Sequence, residues 1–211
     1  MNSRRSFLLQ AAALGAAGRL RAQQDPFASL PASVWKNARQ NGLIMIHKET
    51  PSQLSWQTRI VSAKERGDPL VVSGQVFAPD GRTPAAGVTV YAYNTDTEGY
   101  YGANRAEYPP RIYGWMKTDV AGRFELRTIH PGRYPQMRVP SHVHFEAWGG
   151  GYPIQWVEEL QFAGDSYHTP QMLAEDAGRG NFRFIYELRR GPDGLARCSH
   201  RIRMKWETTF R

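Results

Sequence analysis

The sequence predicts an all-β protein, a β-sandwich with long irregular loops and one short N-terminal helix. Three observations carry this prediction. Seven stretches read as strands, each rich in Val, Ile, Thr, Tyr, Phe or Trp. The chain also contains 20 glycines and 14 prolines, many placed where those stretches end. Little beyond residue 42 reads as helix. At 211 residues the chain is long enough for one domain with a substantial core.

In chain order, "SRRSFLLQAAALGAAG" comes first. Arg4 and Arg5 precede Phe7, Leu8 and Leu9, followed by an uncharged Ala-rich run to Gly18. This layout resembles a bacterial twin-arginine export leader over residues 1–23, with cleavage expected near Ala22 or Gln23. It implies a periplasmic or extracellular address, and the apolar run is too short to anchor the mature chain in a membrane. Residues 24–68 read as an extension holding the short helix, with Ser33 as N-cap and Gly42 as stop. The sandwich is expected over 69–211. Its strands are "LVVSGQVF", "VTVYAYN", "GRFELRTI", "HVHFEAWG", "IQWVEELQF", "NFRFIYELRR" and "ARCSHRIRMKW". Thr95 to Met116 reads as a long irregular segment rich in Tyr, Asn and Pro, the kind that tends to carry function.

Charge and cysteine content exclude several classes. The leader's Arg4, Arg5, Arg19 and Arg21 supply half of the formal +8, leaving +4. That balance suits attraction of small anions, and no basic run interleaved with aromatics points to nucleic acid. The single cysteine, Cys198, excludes an intrachain disulfide framework and tetrathiolate zinc sites. It sits in an alternating strand, where a small buried hydrophobe is the default. No G-x-S-x-G motif supports a serine nucleophile.

The stretch "VPSHVHFEAWG" concentrates the chemistry. Val143, Phe145 and Ala147 alternate with His142, His144 and Glu146, so two imidazoles share one face of a strand. At i and i+2 they can reach one ion, zinc and copper being the usual candidates. Upstream, "HPGRYP" places Tyr134 after a turn, and "DTEGYYG" places Tyr101 in the irregular segment.

The run "DTEGYYG … TDVAGRFELRTIHPGRYP … VPSHVHF … ELQFAGD" resembles the intradiol ring-cleavage dioxygenases, the group containing protocatechuate and catechol dioxygenases. The likeness covers about half of the chain, residues 71–165. It implies a non-haem Fe(III) held by Tyr101, Tyr134, His142 and His144, with Tyr100 and Tyr108 as nearby tyrosines outside the motif. Two phenolates and a hydroxide would balance the ferric charge, so the centre could sit in a partly dry pocket. The resemblance further implies a catechol-type aromatic and O2 as substrates and a muconate-type diacid as product. Tyr134 would be the tyrosine that leaves the metal and takes a proton. A homo-oligomer is also possible within that family.

Two departures from the family pattern stand out. Where relatives often carry Arg, three places before the first histidine, this chain has Val139; Arg138 and Arg133 are the candidate replacements. Where relatives often carry Gln, this chain has Glu159, an inward-pointing group or a solvent-facing one. The glycines and strands alone also resemble a non-catalytic transthyretin-like or carboxypeptidase-regulatory-like module. That alternative leaves the histidine pair and Tyr101 unexplained. His47, His130, His168 and His200 are scattered and read as structural.

Overall fold

The computed structural model describes residues 50–105 and 109–207. The leader, the expected helix from Ser33 to Gly42, His47 and Tyr108 lie outside them. The strands are β1 (Gln57–Arg59), β2 (Pro69–Phe77), β3 (Val88–Asn94), β4 (Ile112–Lys117), β5 (Arg123–Ile129), β6 (His142–Gly149), β7 (Tyr152–Phe162), β8 (Ile185–Tyr186), β9 (Arg189–Arg190) and β10 (Ala196–Arg203); one helix, α1 (Pro170–Gly178), follows β7. They form two sheets, ordered β1-β5-β2-β10-β9 and β4-β3-β6-β7-β8. The sandwich expected from the sequence is therefore the fold observed.

Alternation explains the layering. Leu70, Val72 and Val76 of the first sheet face Val88, Val90, Ala92, Val143, Phe145 and Ala147 of the second, all nearly or wholly buried. Each of the Leu, Val and Phe side chains among them contributes about 1.5–3 kcal/mol when fully removed from water. Cys198 belongs to this core, as expected. Gly74 pairs with Phe124, and a Cβ on Gly74 would lie 2.0 Å from the Phe124 ring. The ring thus lies where a side chain would otherwise stand.

Some elements differ from the sequence expectation. The irregular segment from Thr95 yields β4 at its end, because Tyr113 and Trp115 pair across to Tyr93 and Tyr91. The three-residue β1, parallel to β5, is too short to show a pattern. The expected strand "NFRFIYELRR" is broken into a 3-10 turn and the two-residue β8 and β9. Its backbone is claimed elsewhere: buried Asp176 accepts the Phe184 and Ile185 N–H groups at 2.7 and 2.9 Å. Asp176 comes from α1, a helix whose start is marked by Thr169, which caps the Met172 N–H, and by Pro170.

Candidate metal centre

Strand β6 separates its two faces cleanly. Val143, Phe145 and Ala147 enter the core, while His142 and His144 stand on the opposite face of the second sheet. The entry to β6 is latched. Ser141 donates its N–H to Asp165 Oδ2 at 3.0 Å and its hydroxyl to the Pro131 carbonyl at 2.6 Å. Asp165 also accepts the Tyr167 N–H and pairs with Arg133 at 3.3 Å. Burial works to raise the Asp165 pKa, but these N–H donors and Arg133 outweigh it and hold the group below its usual value.

The two tyrosines arrive on loops that lie against each other. Asp96 organises the first loop: its Oδ1 accepts the Glu98 and Tyr100 N–H groups, both at 3.0 Å. Gly99 follows with φ +88°, and a Cβ there would lie 1.9 Å from the Arg133 carbonyl oxygen. Only glycine suits both the conformation and the contact. The spacing in D-T-E-G-Y-Y therefore has a physical basis, and it delivers Tyr101. Gly132 donates its N–H to the Asp96 carbonyl at 2.8 Å, tying the second loop, which bears Tyr134, to the first.

Four donor atoms meet. Tyr134 Oη lies 3.1 Å from His142 Nε2 and 3.1 Å from His144 Nε2, and the two nitrogens are 3.0 Å apart. The Tyr101 and Tyr134 hydroxyls are in direct hydrogen-bond contact. The opposite ring nitrogens decide what this cluster can hold. His142 Nδ1 lies 2.7 Å from the Pro140 carbonyl oxygen, which can only accept. His144 Nδ1 lies 3.1 Å from Glu159 Oε1. In neutral imidazoles the protons then sit on Nδ1, and both Nε2 lone pairs point into one spot. Burial, and then His144, depress the His142 pKa and keep that ring neutral. Two converging lone pairs repel unless a cation lies between them, so the donor set fits a metal ion.

The phenols support the same conclusion. Burial, with the neighbouring Tyr134, pushes the Tyr101 pKa far up; burial pushes Tyr134 up to about 12. Neither phenol would ionise near neutrality without an adjacent positive charge. A bound metal cation would supply one, and hard oxygen donors beside imidazole suit iron.

The sequence-predicted residues are thus partly gathered. Tyr101, Tyr134, His142 and His144 come together; Tyr100 does not, and instead lies under the Arg105 guanidinium at 5.7 Å. Glu159 turns toward the site and meets His144. His142, His144 and Glu159 can each bring one ligand atom within 4.8 Å of the others. Glu159, however, meets the ring nitrogen remote from the convergence point, so it stands behind the imidazole rather than at the cluster. Arg133 and Arg138 stack on Tyr167, their guanidinium carbons 4.7 and 5.9 Å from its ring centre. Arg138 is exposed.

Three supporting residues escaped the sequence reading. Tyr93 stacks on His144 with ring centres 4.6 Å apart and planes 15° from parallel. Asp165 and Ser141 form the latch described above. For Tyr93 a signal existed, since it alternates with Tyr91 on a strand whose other face is aliphatic. For Asp165 only the "AGD" motif hinted at a role. The other described histidines have partners away from the four-donor cluster: His130 packs on Phe162, His168 meets Gln161 at 3.1 Å, and His200 lies in the core.

Comparison with known proteins finds similar sequences and similar folds. A family model described as Dioxygenase (Dioxygenase_C) matches residues 42–200. The chain is 31% identical over 104 residues to catechol 1,2-dioxygenase 1 of Acinetobacter lwoffii, covering 40% of this chain and 33% of that protein. It is 30% identical over 119 residues to 6-chlorohydroxyquinol 1,2-dioxygenase of Cupriavidus pinatubonensis, covering 48% and 42%. The matched stretch thus spans less than half of either relative. Among solved structures, the dioxygenase domain of a dioxygenase carbohydrate-binding protein fusion from Streptomyces sp. SirexAA-E superposes with TM-score 0.54 at 27% identity, covering 72% of this chain and 90% of that one. 3-Chlorocatechol 1,2-dioxygenase from Rhodococcus opacus 1CP shares the fold with TM-score 0.55 at 18% identity, covering 81% and 83%.

Proposed function

The chain belongs to the Dioxygenase_C dioxygenase family, and from that premise we propose that it cleaves a catechol-type aromatic ring between its two hydroxylated carbons. The co-substrate is O2 and the product a muconate-type diacid. One observation carries the reading: two phenol oxygens and two Nε2 lone pairs meet at one point, with both imidazole tautomers fixed from behind. Tyr101, Tyr134, His142 and His144 would hold a non-haem ferric ion. When bound, that ion supplies Lewis acidity and a template for the two catechol oxygens.

The chain's own residues prepare the reaction. Tyr134 Oη contacts all three other donors, so it is the phenol best placed to receive a proton from an arriving catechol hydroxyl. Tyr93 holds the His144 ring by stacking, and the Asp165 latch fixes the start of β6. Arg133 and Arg138 flank Tyr134 on the same loop, Arg133 with its charge paired to Asp165 and Arg138 exposed over Tyr167. The leader would send the enzyme out of the cytoplasm; replacing Arg4 and Arg5 by Lys should leave the protein in the cytoplasmic fraction.

Iron analysis with a visible spectrum tests the proposal. Ferric-loaded protein should hold one iron per chain and show a tyrosinate-to-iron absorption band. Catechols that bind should shift the band, and oxygen uptake should identify those that are cleaved. A protein that stays colourless and iron-free after ferric loading would instead be a passive sandwich module.

A further inference from the structure

The pairing of β6 with β7 is irregular at one place beside the site. Val143 pairs with Leu160 and Phe145 with Val157, so His144 alone stands opposite two residues, Glu158 and Glu159. This is a bulge on β7, a device that re-aims side chains near functional sites. Its two carboxylates diverge. Glu158 pairs with Arg179, just past α1, at 2.8 Å. Glu159 reaches His144 Nδ1 at 3.1 Å.

We infer that Glu159 is a positioning residue that uses this bulge to fix and strengthen His144 as a metal donor. The inference rests on the proposed ferric site. An accepting carboxylate holds the proton on Nδ1, keeps Nε2 free for the metal, and raises the donor strength of that nitrogen. The two imidazoles are therefore not equivalent. His142 is oriented by a neutral carbonyl, that of Pro140, and His144 by a carboxylate. Tyr93, stacked on the same ring, blocks rotation away from this arrangement. An amide at position 159 could still orient the ring but would lend it no negative charge. This chain thus places a stronger acceptor behind His144 than the Gln that the family pattern commonly puts there.

The test compares wild type, Glu159→Gln and Glu159→Leu after ferric loading. The Glu159 side chain is 42% exposed, so both variants should fold, which the melting temperature of the metal-free proteins verifies. Iron affinity is read by competition with a chelator, and the ferric–ferrous potential by spectroelectrochemistry. Glu159→Leu should lose about 10–100-fold in iron affinity. Glu159→Gln should fall between it and wild type, with a higher potential because ferric iron is less well supported. Two results would overturn the inference: both variants matching wild type in affinity and potential, or Glu159→Gln losing iron as completely as His144→Ala. The second would make Glu159 a ligand. If wild type cleaves catechols while the variants match it, only this inference falls. If wild type takes up no ferric ion, the proposed function falls with it.

Discussion

His200 on β10 and His142 on β6 are both buried histidines in strands of the same sandwich. His200 faces the core, with the Phe145 ring centre 4.9 Å and the Tyr186 ring centre 5.7 Å away. Burial pushes its pKa down to about 4 despite a backbone contact with Glu158. Burial also lowers the pKa of His142. The two regions differ in what lies around the ring. At the site, a carbonyl holds His142 Nδ1 and a carboxylate holds His144 Nδ1, while the Tyr134 oxygen lies against both Nε2 atoms. Burial keeps both rings neutral; at His142 the accepting Pro140 carbonyl on Nδ1 leaves Nε2 turned toward Tyr134 and His144.

Breaking each region separately should separate these roles. The largest effect is expected from His142→Ala or His144→Ala, which should abolish iron retention and oxygen uptake while the metal-free protein still melts cooperatively. His200→Ala should retain iron. Turning to the inward face of β6, Phe145→Ala should cost about 3–5 kcal/mol in denaturant titrations, with iron per folded chain unchanged. A smaller effect is expected from Asp165→Ala, which strips the Ser141 and Tyr167 N–H groups of their acceptor. The cost should be about 1–3 kcal/mol, with weaker iron binding because His142 directly follows the lost latch.

The smallest effect is a pH dependence. His200 has a folded pKa depressed to about 4, against an ordinary value of 6.5. The unfolded chain therefore binds the proton first as pH falls, and stability present above 6.5 is lost on the way down to 4. Between pH 7 and 5.5 the share of His200 in that change should be about 1 kcal/mol. It is read as the difference between the stability curves of wild type and His200→Gln, since buried Glu146, raised to about 8, works in the opposite direction in both.

Much of this was legible because strand chemistry has a short period. Alternation in "HVHFEAWG" assigned both faces of β6, and the order tyrosine, tyrosine, histidine pair located the four donors. Glu159 could be marked as a departure, but not aimed, because its direction depends on a bulge set by pairing with another strand. Tyr93 lies 51 residues from its stacking partner, a proximity created only when β3 and β6 pair. The expected strand at "NFRFIYELRR" failed for a more local reason: a carboxylate on the preceding helix, Asp176, captured its backbone. Arg133 and Arg138 show the limit from the other direction. Sequence spacing offered both as partners of the site, and their stacking on Tyr167 depends on the course of the 163–169 turn.

The close approach of Gly99 to the Arg133 carbonyl has an evolutionary consequence. A Cβ on Gly132 would likewise fall 2.4 Å from the Thr97 carbonyl oxygen, so each loop is moulded to the other's bare backbone. The segments bearing Tyr101 and Tyr134 therefore form one heritable cassette. Grafting either alone from a homologue should misplace both phenols, whereas exchanging the two together should preserve them.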